Sequence, residues 1–269
     1  HRDLHLSIRR QRQMCIRDRE ISIEGTIVID LNKAVDISIS FKTGIEQVNC
    51  FYAPFFDSIP VKAGAFIGSV KEGGPVNFSN VKLNVHGNGT HTECVGHITD
   101  EFISVNEILK NYVFKNHLCS VYPTKRDDGD LVIERFTLEQ LLADVVSETL
   151  TIRTLPNPIS KKKKHYSGTN PTYLSEEAME FIVQKGFKHI LVDFPSVDRE
   201  EDEGRLLAHR AFWKGERAKT CTITELVYVP EDFPDGDNIL FLHLAPLDLD
   251  AVPSRPILYQ LKNDQYTQK

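Results

Sequence analysis

From residue 26 to residue 41 the chain is rich in Ile and Val, with polar positions recurring around Asp30 and Asp36, the period-two alternation of one or two β-strands. A loop region over residues 49–75 follows, where Phe51, Tyr52, Phe55 and Phe56 stand beside Pro54 and Pro60 and are expected in the core, with the lining of a pocket for a flat substrate as the alternative. Residues 81–85 read as a short strand, 105–113 as a helix, and 118–121 and 150–152 as short apolar strands. The apolar spacing of residues 137–146 fits a helix, with Thr137 and Gln140 in capping-box register. A second helix is predicted over 175–184, with Ser175 as its cap, Glu176 and Glu177 complementing its dipole and Gly186 ending it. It feeds a strand over 189–193. His209 falls on a further helix with Leu206, Leu207 and Trp213, and residues 221–227 form an apolar, β-branched strand that holds Glu225. Strands and helices alternate without an internal repeat, so the predicted class is α/β: a single domain over residues 20–269 with a mixed β-sheet flanked by helices.

At 269 residues, 41% of them hydrophobic, the chain can bury a substantial core. Its net charge of −6 argues against nucleic acid or an anionic membrane surface as partner. The run of lysines 161–164 before His165, and the acidic run 200–203, are expected to be solvated loops. No apolar stretch approaches the roughly 20 residues that span a bilayer. Five scattered cysteines read as free thiols of a reducing compartment, so a cytoplasmic location is expected; Cys94 and Cys221 lie near candidate ligands but are expected to be small buried side chains. Residues 1–19 are arginine-rich and aperiodic. The string Gln13-Met-Cys-Ile-Arg-Asp-Arg19 resembles translated sequencing-adapter read-through, so this stretch is expected to be a non-native extension. A leader displaced by it would change the expected compartment.

The string His86-Gly-Asn-Gly-Thr-His91-Thr-Glu93-Cys-Val-Gly-His97 places three imidazoles and a carboxylate within twelve residues, the donor types that zinc and manganese prefer. His91 and Glu93, two apart, share one face of an extended strand, and Gly87 and Gly89 permit a turn that folds His86 back towards them. The spacings between the histidines, five and six, fit no single helical face. His91-Thr-Glu93 matches the His-x-Glu of nucleobase deaminases, but their Pro-Cys-x-x-Cys is missing, as is the His-Glu-x-x-His of metalloproteases. A second string, Asp193-Phe-Pro-Ser-Val-Asp198, begins where a predicted strand ends, the place where α/β sheets bind ligands. Glu225, set in an apolar strand, needs a cation or a hydrogen-bond network, and an arginine would serve.

With these residues in place, the chain resembles the metal-dependent cyclase family, which includes bacterial kynurenine formamidases and isatin hydrolases. Of that family's His-x-Gly-Thr-His-x-Asp-x-Pro-x-His, Gly89-Thr90-His91 match directly, Glu93 takes the place of the Asp and His97 falls on the last His. Asp193 to Asp198 matches its Asp-x-Pro-Ser-Val-Asp, His209 and Glu225 follow as the later ligands, and residues 247–256 resemble its ending, so that the likeness spans about residues 30–257. The chain departs from the pattern in four places. The first His comes one position early, with Gly87 where a ligand is expected; Glu93 is one methylene longer than Asp; Val95 replaces the Pro; and the interval from His209 to Glu225 is long.

The resemblance implies a cyclase-like fold of the swivelling β/β/α type and one or two divalent ions, Zn2+ or Mn2+, held by His86, His91, Glu93, His209 and Glu225. It implies hydrolysis of a small amide, formamide or lactam by metal-activated water, with His97 as proton shuttle rather than ligand. Rival readings are a lactonase or dehydrating cyclase on the same site, or a non-catalytic homologue whose metal is closed in by four protein ligands. Phe51, Tyr52 and Trp213 are the rings available to stack on an aryl substrate. A small-molecule substrate and a homo-oligomer, dimer or tetramer, are the expected partnerships.

Overall fold

The fold was obtained as a computed structural model that describes residues 20–23 and 27–261; the expected extension over 1–19 lies outside the described residues. β1 (Glu20–Ile23) and β2 (Ile27–Asp36) form a hairpin. An excursion follows in which β3 (Asp57–Pro60) and β4 (Lys62–Ala63) precede β5 (Phe66–Ile67) and β6 (Ser79–Lys82), β3 pairing with β6 and β4 with β5. Next come β7 (His91–Glu93), β8 (Val113–Val121), β9 (Thr124–Lys125), β10 (Leu131–Ile133), β11 (Thr149–Thr154) and β12 (Tyr173–Leu174). The chain continues with β13 (His189–Val192), β14 (Thr222–Glu225), β15 (Gly236–Leu244) and β16 (Ala251–Leu261). The described helices are short: α1 (Val85–Asn88), α2 (Val105–Ile108), α3 (Arg135–Leu142), α4 (Glu176–Gln184) and α5 (Leu207–Phe212).

The main sheet runs β1-β2-β16-β15-β8-β11-β13-β14-β7, and β7 pairs again with β16, so seven of its strands close into a barrel. β8, β11, β13 and β14 are mutually parallel, and the other pairings in this sheet are antiparallel. Every residue of β11, β13 and β14 is buried, as befits parallel strands covered on both faces. Alternation assigns the faces: Ile190 and Val192 pack with Leu138, Leu142, Met179 and Ile182 of the helices, whereas Leu191 packs with Leu118, Leu240 and Leu258. The class predicted from sequence is thus present, with the addition that the mixed sheet closes on itself.

Ser175 caps α4 as expected, its hydroxyl accepting from the Ala178 amide at 3.1 Å, and Gly186 takes the left-handed φ of +85° that ends the helix. Elsewhere the pattern was outweighed. The helix expected over 105–113 stops at Ile108, because from Val113 onwards buried and exposed positions alternate and the segment joins β15 as β8. The helix expected over 137–146 occupies 135–142, without a side-chain cap; burial of Leu138 and Leu142 sets its position, and Thr137 lies inside it. The strand expected over 81–85 covers 79–82 and gives way to the α1 turn. Phe51, Tyr52 and Phe55 are exposed rather than in the core. Val48 and Cys50 supply the buried positions there, and left-handed φ values of 56° and 51° at Phe51 and Tyr52 carry the chain through the turn that follows. The lysine run is not wholly solvated either: Lys161, 12% exposed, donates to Asp193 Oδ2 and to both oxygens of Thr154, each at 2.8 Å.

Candidate metal centre

The local sequence explains how the cluster is assembled. Asn84 caps α1 by accepting from the Gly87 amide at 2.8 Å, and this single helical turn brings His86 inward. A Cβ on Gly87 would sit 2.5 Å from Ala53 Cβ, and one on Gly89 2.7 Å from the Phe41 ring, so both glycines are required by close approach. Thr90 Oγ1 accepts from the Ile39 amide at 2.7 Å and donates to the Leu226 carbonyl, tying β7 to the end of β14. In the barrel β7 lies between β14 and β16, with His91 directly opposite Glu225 and Glu93 opposite Ala251.

All five residues expected as ligands converge. Glu93, 1% exposed, is the hub: its Oε1 lies 3.0 Å from His209 Nε2, and its Oε2 lies 3.1 Å from His86 Nδ1, 3.9 Å from His97 Nε2 and 4.0 Å from His91 Nε2. Glu225 Oε2 is 3.3 Å from His91 Nε2, while its Oε1 accepts from the Val197 amide at 3.0 Å; no arginine is needed. His209 is held from behind by Asp198, which accepts from the His209 Nδ1 at 2.6 Å and from the Ala208 and His209 amides at 2.7 and 3.1 Å. Trp213 does not line an open pocket. It is 4% exposed, donates to the Cys221 carbonyl and packs against the His209 ring at 5.5 Å, so it supports that histidine instead. Cys94 and Cys221 are buried thiols outside the cluster, and burial raises both.

Asp250 belongs to the cluster without having been singled out as a site residue from sequence: its Oδ2 is 3.2 Å from His86 Nε2 and 3.5 Å from His97 Nδ1. The signal was its place in the stretch 247–256 that matches the family's ending. Nothing in local spacing ties it to a histidine 164 residues away.

The residues fit a divalent cation. His91 Nδ1 lies 3.1 Å from the Gly89 carbonyl, so the ring donates there, and in the neutral ring Nε2 carries the lone pair. That nitrogen is buried without a hydrogen-bond partner and faces two carboxylates; Glu93 Oε2 is likewise buried and unpartnered. Each such atom costs about 1–3 kcal/mol, and acceptors facing acceptors are reconciled only by a positive charge between them. Two triads, His86 with Glu93 and His97, and His91 with Glu93 and Glu225, each bring their ligand atoms within 4.8 Å of one another. The pair shares Glu93.

Before a cation binds, protons would take its place. Burial disfavours the charged form of His86, but the Asp250 and Glu93 carboxylates beside it outweigh burial and push it up to about 10. His209 behaves alike, burial being outweighed by Asp198 and Glu93, and also reaches about 10. Both rings must give up a proton to ligate, so divalent-metal affinity is expected to rise with pH up to about 10, with release of about two protons per protein chain near pH 7.5. Calorimetric zinc titrations in buffers of different ionisation enthalpy measure this directly. Binding without proton release would contradict it.

Access to the cluster is from the side of His86, His97 and Asp250, whose side chains are 24%, 31% and 38% exposed. A cavity of about 630 Å³ beside Asp193 and Phe194 shares no residue with the cluster. Among the described residues no helix is long and apolar enough to cross a membrane.

Comparison with known proteins agrees with this architecture. A kynurenine formamidase from Bacillus anthracis is 29% identical over 192 residues, 71% of this chain and 83% of its own length. A potential metal-dependent hydrolase with cyclase activity superposes with a TM-score of 0.60 at 19% identity, covering 85% of this chain and 98% of that one. An isatin hydrolase bound to the product analogue thioisatinate gives 0.60 at 14% identity, covering 86% and 93%. The family model described as "Putative cyclase" matches residues 35–199, which include His86, His91, Glu93, His97 and Asp198. The chain belongs to this cyclase family.

Proposed function

We propose that the chain is a metal-dependent hydrolase of small amides, formamides or lactams, arylformamidase-like in substrate class. The observation that carries the reading is the buried Nε2 of His91, which presents its lone pair to Glu93 and Glu225 within a cluster that stays open to solvent on the His97 side. That opening supports a catalytic centre over a structural one, since a structural ion is enclosed by protein ligands. The three histidines and two carboxylates expected as ligands suit Zn2+ or Mn2+. When bound, such a cation polarises a carbonyl and acidifies water.

The remaining chemistry falls to the chain's own groups. Asp198 fixes His209 through Nδ1 and leaves Nε2 facing Glu93. Glu225 is braced by the Val197 amide and can hold a positive charge against His91. His97, on the solvent side, carries the proton to the leaving nitrogen. The relatives named for formamide and isatin hydrolysis support this substrate class.

The test is a screen of purified, metal-loaded protein against N-formylkynurenine, isatin and a lactone panel. Turnover of the formamide or isatin is expected, abolished by chelation and restored by Zn2+ or Mn2+. Turnover of lactones alone would redirect the reading to ester chemistry, and metal-loaded protein that turns over none of them would sink it.

A further inference from the structure

Resting on the hydrolase reading above, we infer that Asp250 is a positioning residue that sets which ring nitrogen His86 and His97 each present to the centre. A single oxygen, Asp250 Oδ2, lies within reach of His86 Nε2 at 3.2 Å and of His97 Nδ1 at 3.5 Å. A carboxylate oxygen only accepts, so both rings must place their N–H on that side. Once His86 carries a single proton, as a ligand must, the opposite nitrogens, His86 Nδ1 and His97 Nε2, are bare and point to Glu93 Oε2, at 3.1 and 3.9 Å. The two rings stack 4.2 Å apart, so one acceptor orders both at once.

The backbone shows a built position rather than a passing contact. The Asp250 carbonyl accepts from the Cys94 amide at 3.0 Å, and the Leu249 carbonyl accepts from Val105 at 2.9 Å. The next residue, Ala251, pairs across the barrel with Glu93 itself. Opposite Asp250, residue 96 is glycine; a Cβ there would stand 3.2 Å from the Asp250 Cβ and would also meet the Ile103 carbonyl. Asp250 is therefore pinned from both sides by the strand that carries Glu93 and by the turn that carries His97. Because His86 stands one position early in its motif, the ring approaches Glu93 through Nδ1, and a carboxylate behind Nε2 enforces that choice.

The test compares wild type with Asp250→Asn by 15N correlation spectroscopy of the histidine rings in zinc-loaded protein, together with zinc affinity and steady-state kinetics. In the wild type His97 is expected as the Nδ1–H tautomer; in the variant, whose amide is uncharged and can turn its NH2 to the rings in place of an oxygen, that preference is weakened. Zinc affinity should fall about 10- to 100-fold, the usual effect of removing a carboxylate behind a ligating imidazole. At saturating zinc, kcat on the substrate identified by the screen should fall by a similar factor while KM stays within about threefold. A purely structural Asp250 would lower thermal stability and leave the ring signals unmoved. Finding His97 as Nε2–H in the wild type, or unchanged ring signals and affinity in the variant, would overturn the inference. If no substrate is turned over, the hydrolase reading fails, yet the ring signals and zinc affinity still decide the role of Asp250.

Discussion

Glu93→Gln is expected to empty the metal centre. Four imidazoles stand within 4.0 Å of this carboxylate, which belongs to both candidate ligand triads and is 1% exposed. Burial disfavours its charged form, yet the His209 and His86 imidazoles against it hold its carboxyl well below the usual range, so it is an anion at neutral pH. The glutamine amide is nearly isosteric but neutral, and it offers N–H groups where a cation requires an acceptor. Removing one partner from a buried charged set costs about 3–5 kcal/mol, which corresponds to about 10² to 10⁴ in affinity. Metal content after gel filtration should fall below a tenth of the wild-type value, and turnover with it, as elemental analysis and kinetics would show. A Glu93→Gln protein that retains full metal would remove Glu93 from the centre. Glu93→Asp tests a finer point. The early His86 and the extra methylene of Glu93 are compensating departures, because the longer side chain lets Oε2 reach His86 Nδ1 while Oε1 still meets His209. Restoring Asp without moving the histidine should therefore weaken metal binding.

What could be read from sequence was local. His91 and Glu93 share a strand, Ser175 caps its helix and Glu225 ends an apolar strand, because each depends on alternation or capping within a few residues. Residues 236–244 carry no such local signal, although β15 is central to the barrel: Ile239, Leu240 and Leu242 there are spaced neither as a clean alternation nor as a helix. Closure of the barrel was equally invisible, since it rests on β7 pairing with a strand some 160 residues later. The same distance hid Asp250. Lys161 was hidden for another reason: within a basic, Pro- and Ser-flanked run its composition signals solvent, whereas its burial is imposed by Asp193 at the end of β13, whose carboxylate needs a partner there. His86 sits between these cases. Its type and neighbourhood marked it, while the turn that delivers it depends on Asn84, one residue before that turn.

His97→Ala is expected to separate metal binding from turnover. His97 sits on the 3-10 turn Val95–Ile98, anchored by buried Val95, and keeps 31% of its side chain in solvent. Its Nε2 is 3.9 Å from Glu93 Oε2, farther than the corresponding nitrogens of His86 and His209. The residues most deeply buried around Glu93, namely His91, His209 and Glu225, do not need it to stay in place, since they are held by the Gly89 carbonyl, Asp198 and the Val197 amide. A ring at the solvent edge, with one nitrogen turned to the centre and the other to Asp250, is placed to pass a proton between substrate and water. Loss of a general acid–base group typically costs about 10² to 10⁴ in rate, so kcat should fall by that factor with KM changed by at most a few-fold and metal content retained. His97→Gln should behave in the same way, because a glutamine can fill the space but cannot carry the proton. His97 does complete one of the two candidate triads, and this gives the experiment its second outcome. If His97→Ala loses metal in proportion to activity, the ring is a ligand, and the proton to the leaving nitrogen must come from elsewhere in the cluster.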